Sequence, residues 1–153
     1  MLKPEITVAC IVEKDGRFLL VEEYTESGIR LNQPAGHLEP GESLESGAVR
    51  ETMEETGCQV VPTALVAVNL LEYLQDGQRD RSFLRFTFEA AFMRQTDASL
   101  DPDIISTHWM TYEEVLASKD RHRSRLVVET IDAYRQGIRV PVSLLSTRIE
   151  GKE

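Results

Sequence analysis

A chain of 153 residues can bury one real core and is too short for two ordinary ones, so residues 1–153 read as a single domain. Its 41% hydrophobic and 28% charged residues are those of an ordinary globular protein and exclude disordered, collagen-like and coiled-coil chains. A formal charge of -9 argues against stable binding to nucleic acid, which needs clustered Lys and Arg, and a phosphate-handling protein this acidic needs a cation between itself and its ligand.

No apolar run approaches the ~20 residues of a bilayer span, and Met1 to Glu5 lack a basic segment followed by an apolar one. A cytoplasmic location without a membrane partner is the expectation, with Cys10 and Cys58 as buried, reduced thiols. Ile6 to Val12 is β-branched and apolar, and Asp15-Gly16 precedes a second apolar stretch, Phe18 to Val21, which predicts a hairpin. Between Glu22 and Gly41 the breakers Ser27-Gly28, Gln33-Pro34, Gly36 and Pro40-Gly41 predict loops with one short strand near Arg30 to Gln33.

Ser43 to Thr56 carries Leu44, Ala48 and Thr52 at intervals of four, with Gly57 as a left-handed stop, and reads as the central helix. Two strand-forming runs follow, Ala64 to Leu74 and Ser82 to Phe92, around the turn at Asp76-Gly77. In the second run Leu84, Phe86, Phe88, Ala90 and Phe92 share one face, which leaves Phe83, Arg85, Thr87 and Glu89 on the other. A further strand is expected over Ile104 to Met110, then a capping box of Thr111 and Glu114 on a short helix from Tyr112 to Leu116. The last helix runs from about Ser124 to Gln136, with Leu126, Val127, Ile131 and Tyr134 inward and Gly137 as its stop.

On the central helix, Glu51, Glu54 and Glu55 fall within an arc of roughly 100°. Their mutual repulsion calls for a cation. Arg50, four residues before Glu54, cannot neutralise three carboxylates alone, whereas a divalent ion can. Oxygen ligands without His or Cys suit magnesium, with manganese as the alternative. Gly47, one turn before Glu51, leaves room for the Gly36 loop or for a ligand.

Gly36, Glu42, Arg50, Glu51, Glu54, Glu55 and Gly57 stand at every fixed position of the Nudix box, here residues 36–58, and a chance match has odds on the order of one in a million. The chain therefore resembles the Nudix hydrolase superfamily. Thr52 and Cys58 depart from the family's aliphatic preference, as core-facing positions. Trp109 with Thr111 to Leu116 resembles the family's late strand and helix. The Asn32 to Glu39 run, Phe83 to Phe86 and the Leu126 to Tyr134 helix are similar to a bacterial phosphatase branch of it.

That resemblance implies an α/β fold with a mixed β-sheet sandwiched between helices, an α/β/α sandwich. It implies Mg-dependent hydrolysis of phosphoanhydride bonds in nucleoside di- and triphosphates and in hydroxymethylpyrimidine diphosphate, a thiamine precursor. ADP-ribose or dinucleoside polyphosphates are the alternative substrates, and a non-catalytic nucleotide-binding regulator the alternative class. The Gly36 carbonyl with Glu51, Glu54 and Glu55 would hold the metal. Glu54 is the favoured general base, with Glu51, Asp101 and Asp103 as competitors, and Arg50 would orient Glu42 or a metal ligand, unless it is an exposed ion pair. Arg85 is either a phosphate contact or a rim residue paired with an acid. Asn32 and Gln33 either touch substrate or tie the loop. His37 reads as structural. Tyr73 lies near where dinucleoside-polyphosphate hydrolases of the family carry a tyrosine, although a strand tyrosine is more often core. Monomer and homodimer both remain open.

Overall fold

In the computed structural model, which describes residues 2–152, the chain forms eight strands and three α-helices. The strands are β1 (Glu5–Ile11), β2 (Glu13–Lys14), β3 (Arg17–Thr25), β4 (Gly28–Asn32), β5 (Ala35–His37), β6 (Cys58–Gln75), β7 (Gln78–Gln95) and β8 (Ile104–Met110). The helices are α1 (Leu44–Thr56), α2 (Tyr112–Ala117) and α3 (Leu126–Arg135). One mixed sheet has the order β5-β1-β7-β6, with β1 parallel to β7, and a second joins β2, β3 and β4, with β8 beside β3.

The hairpin expected from Ile6 to Val21 forms differently. Its turn is present, with Asp15 at φ 53 and Gly16 at φ 75, the two left-handed residues of a tight hairpin turn. The partner of β3 across that turn is the two-residue β2, however, while β1 pairs with β5 and β7. The reason lies in burial: Val8 through Val12 are at most 1% exposed, so β1 is covered on both faces and belongs at the centre of a sheet. The chain changes sheets at Val12, whose carbonyl accepts from Leu19 N–H at 3.0 Å.

The central helix starts where expected, with Ser43 Oγ accepting from Ser46 N–H at 3.1 Å, and ends at Gly57 with φ 73. The Thr111/Glu114 capping box is complete. Strands β6 and β7 are longer than their apolar runs, because the turn at Asp76 and Gly77, both left-handed, lets the polar Gln78 to Arg81 continue the ladder. The region expected to be mostly loop holds two strands, β4 and β5.

Helices cover the first sheet on both sides. Val8, Cys10, Phe88 and Ala90 pack with Ala48 of α1, while Ile11 and Val66 pack with Val115 of α2 and with Val127 and Ile131 of α3. Each fully buried large side chain contributes about 1.5–3 kcal/mol. Thr52 and Cys58 are at most 1% exposed, and both cysteines are free and buried. Among the described residues, no helix is long and apolar enough to cross a membrane.

Candidate active site

Helix α1 presents Arg50, Glu51, Glu54 and Glu55 towards β5 and the loop behind it. Arg50 is the pin of this arrangement. Its Nε and Nη2 donate to Glu42 Oε2 and Oε1 at 2.6 and 3.0 Å, and Nη2 also donates to the His37 carbonyl at 3.0 Å. Its Nη1 donates to Glu51 Oε1 at 2.9 Å and to Glu54 Oε2 at 3.1 Å, so one guanidinium gathers three box carboxylates. The Glu42 hydrogen bonds push the Arg50 pKa up, and Arg50 in turn holds Glu42 below the usual carboxylate range.

Gly36 and Gly47 owe their identity to close approach. A Cβ on Gly36 would fall on the Glu51 carboxylate, and one on Gly47 would press on Leu38 Cδ1 and Glu42 Oε1 at 3.0 and 3.1 Å. Of the two roles open to Gly47, admitting the loop is the one the structure shows.

Burial raises the pKa of Glu51 despite Arg50, and raises that of Glu55 to about 9 although Glu55 Oε1 accepts from Ala35 N–H at 2.8 Å. Glu23 and Asp101 add repulsion at Glu55. Desolvated carboxylates that repel one another, in an all-oxygen donor set beside a glycine backbone, suit a hard divalent cation. Among the described residues no three of these groups already converge as a closed cage, since Arg50 holds Glu51 and Glu54 while the Ala35 amide holds Glu55.

Glu55 also has a measurable cost. Its folded pKa lies above the ordinary 4.5, so the stability of the neutral form is full below pH 4.5 and is lost as pH climbs through about 9. Glu55→Gln keeps an acceptor for Ala35. In metal-free buffer it should therefore gain on the parent between pH 5 and 9 by on the order of a few kcal/mol. Denaturant unfolding at the two pH values checks this, and a constant gap counts against it.

Glu51 and Glu55 face a cleft of about 1090 Å³, which they line with Gly36, Asn32 and Arg85; Glu54 does not line it and stands instead beside Leu100 and Asp101. Arg85 is no rim residue. It is 5% exposed, donates from Nη2 to Gln33 Oε1 at 2.9 Å, and is pushed down to about 10 by burial. Gln33 itself is 1% exposed and does not line the cleft; its Nε2 donates to the Val127 carbonyl at 2.8 Å. Asn32 Oδ1 is buried without a hydrogen-bond partner among the described residues. Glu54 is the most exposed box acid, and its carbonyl accepts from Asp101 N–H at 2.8 Å, which places the loop acids Asp101 and Asp103 at the cleft edge.

His37, expected to be structural, is exposed where it lines the cleft, and its Nε2 is bonded to Glu5 Oε1 at 2.9 Å. Tyr73 is not core: it is 41% exposed at the cleft mouth, edge-on to Phe83 with ring centroids 6.2 Å apart. Sequence reasoning missed Glu23 and Arg123, a cleft-wall pair at 2.7 Å. The available signal was Glu22-Glu23 at the end of an apolar strand, where alternation turns one neighbour inward; a bulge at that step selects Glu23, which is 8% exposed.

The NUDIX domain family profile matches residues 1–131. The chain is 37% identical over 146 residues to phosphatase NudJ of Escherichia coli strain K12, covering 95% of this chain and 92% of that one. It is 38% identical to a NUDIX hydrolase structure from Nitrosomonas europaea, with TM-score 0.89 over 95% of this chain and 98% of the other. A MutT protein from Methanosarcina mazei Go1, 22% identical, shares the fold at TM-score 0.72, with 90% and 98% covered. With profile, sequence and fold in agreement over most of its length, this chain belongs to the Nudix hydrolase family.

Proposed function

We propose that this enzyme hydrolyses phosphoanhydride bonds in nucleoside di- and triphosphates and in hydroxymethylpyrimidine diphosphate, using magnesium, or manganese in its place. The observation that carries the reading is that one cleft is lined both by Glu51, Glu55 and Gly36 and by the buried cation of Arg85. Its relation to NudJ, a phosphatase by name, supports hydrolysis at phosphate.

In this reading Glu51, Glu54 and Glu55, with the Gly36 carbonyl, hold the metal. When bound, the ion lends positive charge to phosphate oxygens and acidifies the attacking water. The chain's own groups do the rest. Glu54, 45% exposed beside Asp101, takes the proton from water; Arg50 keeps Glu51 and Glu54 in register; Arg85 meets phosphate charge in the cleft. Asn32 offers its unpartnered Oδ1 to a substrate donor.

Tyr73 and Phe83 at the mouth favour one second reading, a dinucleoside polyphosphate whose far base reaches that aromatic pair. A magnesium-dependent panel with product analysis separates the two. Phosphate or pyrophosphate from simple nucleotides and from the pyrimidine diphosphate supports the first. NMP plus ADP from a dinucleotide, with simple nucleotides untouched, supports the second. An inert protein that binds nucleotide overturns both.

A further inference from the structure

Arg85 is an unusual cation. It lies on β7 with 5% exposure, and that remnant faces the cleft. A buried guanidinium ordinarily sits against a carboxylate. The neighbouring acids are engaged elsewhere: Glu55 accepts from the Ala35 amide and Glu23 from Arg123, so both act on Arg85 only through space. Arg85 Nε has no hydrogen-bond partner among the described residues, and the side chain's hydrogen bond there goes to a neutral group, Gln33 Oε1, at 2.9 Å.

Gln33 suits this position for a reason its neighbours make plain. It has to accept from Arg85 and donate to the Val127 carbonyl at once, which an uncharged amide does and a carboxylate cannot. The other end of the link is firm. Arg123 N–H donates to the Leu31 carbonyl at 2.8 Å, and the Arg123 side chain pairs with Glu23, so the approach to α3 is tied to β3 and β4 next to Gln33.

We propose that Gln33 is a positioning residue: it aims Arg85 at the substrate's phosphate chain while leaving the guanidinium without a hydrogen-bonded carboxylate, free to meet that phosphate. This rests on the reading above in which Arg85 meets phosphate. Glutamate at this position would still orient Arg85, but it would neutralise the cation and set a second oxygen against the Val127 carbonyl. Leucine would keep the volume and remove both hydrogen bonds.

The test compares the parent with Gln33→Leu, Gln33→Glu, Arg85→Gln and the double variant Gln33→Leu/Arg85→Gln. The readouts are the Kd of a methylene-bridged nucleoside triphosphate by calorimetry, KM and kcat, and Tm. Arg85→Gln should weaken the analogue by on the order of 10- to 100-fold. Gln33→Leu and Gln33→Glu should each weaken it by about tenfold, with KM rising more than kcat falls. In the double variant the Gln33 effect should vanish, because there is no guanidinium left to aim.

If both Gln33 variants lower Tm but leave Kd unchanged while Arg85→Gln weakens it, Gln33 merely braces α3 and the inference is overturned. If Arg85→Gln itself leaves Kd unchanged, the phosphate reading of Arg85 fails and takes the inference with it. Should Gln33→Leu not fold, Gln33→Glu, which preserves size, decides alone.

Discussion

Glu54→Gln is expected to lower kcat by on the order of 10²- to 10⁴-fold, the range typical for loss of a general base, while Tm stays within a few degrees of the parent. The fold has little reason to object. Glu54 is 45% exposed, its side chain is not part of either core, and a glutamine oxygen still accepts from Arg50 Nη1. Glu51→Gln should lose activity on a similar scale. Its carboxylate is largely desolvated above Gly36, so removing the charge relieves a burial cost and should raise the magnesium concentration needed for half-maximal activity. Magnesium titrations of both variants, alongside thermal melts, separate lost metal affinity from a lost fold, and a kcat deficit of Glu54→Gln that persists at saturating magnesium marks the base. Retention of more than about a tenth of parental kcat by both would remove the box acids from the chemistry.

Gly36→Ala should be nearly as damaging, although it adds one methyl group. Gly36 is not left-handed, so alanine strains no backbone there, and the whole cost falls on the Glu51 carboxylate that occupies the space. A carboxylate is the mobile end of a side chain and moves aside. The protein should fold, and kcat/KM should fall by about 10²-fold or more, as expected for a group misplaced by about 1 Å. Gly77→Ala provides the contrast: it meets no atom within 4 Å but sits at φ 77 in the β6–β7 turn. It should cost about 1 kcal/mol of stability and leave activity intact. Similar activity in the two variants would mean that the approach of Glu51 to Gly36 has no bearing on turnover.

These expectations divide along a line that also separates what was readable in the chain from what was not. The box helix, its Ser43 cap and Gly57 stop, the turn at Asp76-Gly77 and the Thr111 capping box were legible, because each is decided by residues within a few positions of one another. Helical periodicity likewise put Glu51, Glu54 and Glu55 on one side of α1, and the spacing of the box carried the family. No pairing across the chain was available in the same way. That β1 leaves its hairpin partner for the centre of a sheet depended on the burial of Val8 to Val12 on both faces, which only the packing of α1 and α3 supplies. The cleft shows the same division more sharply: Arg85 and Gln33 lie 52 positions apart, and Arg123 and Glu23 lie 100 apart. Local sequence determined which residues carry charge and which elements hold them. Tertiary structure decided which charges are buried, which are matched and which are left facing a ligand, because desolvation and ion pairing depend on neighbours distant in the chain.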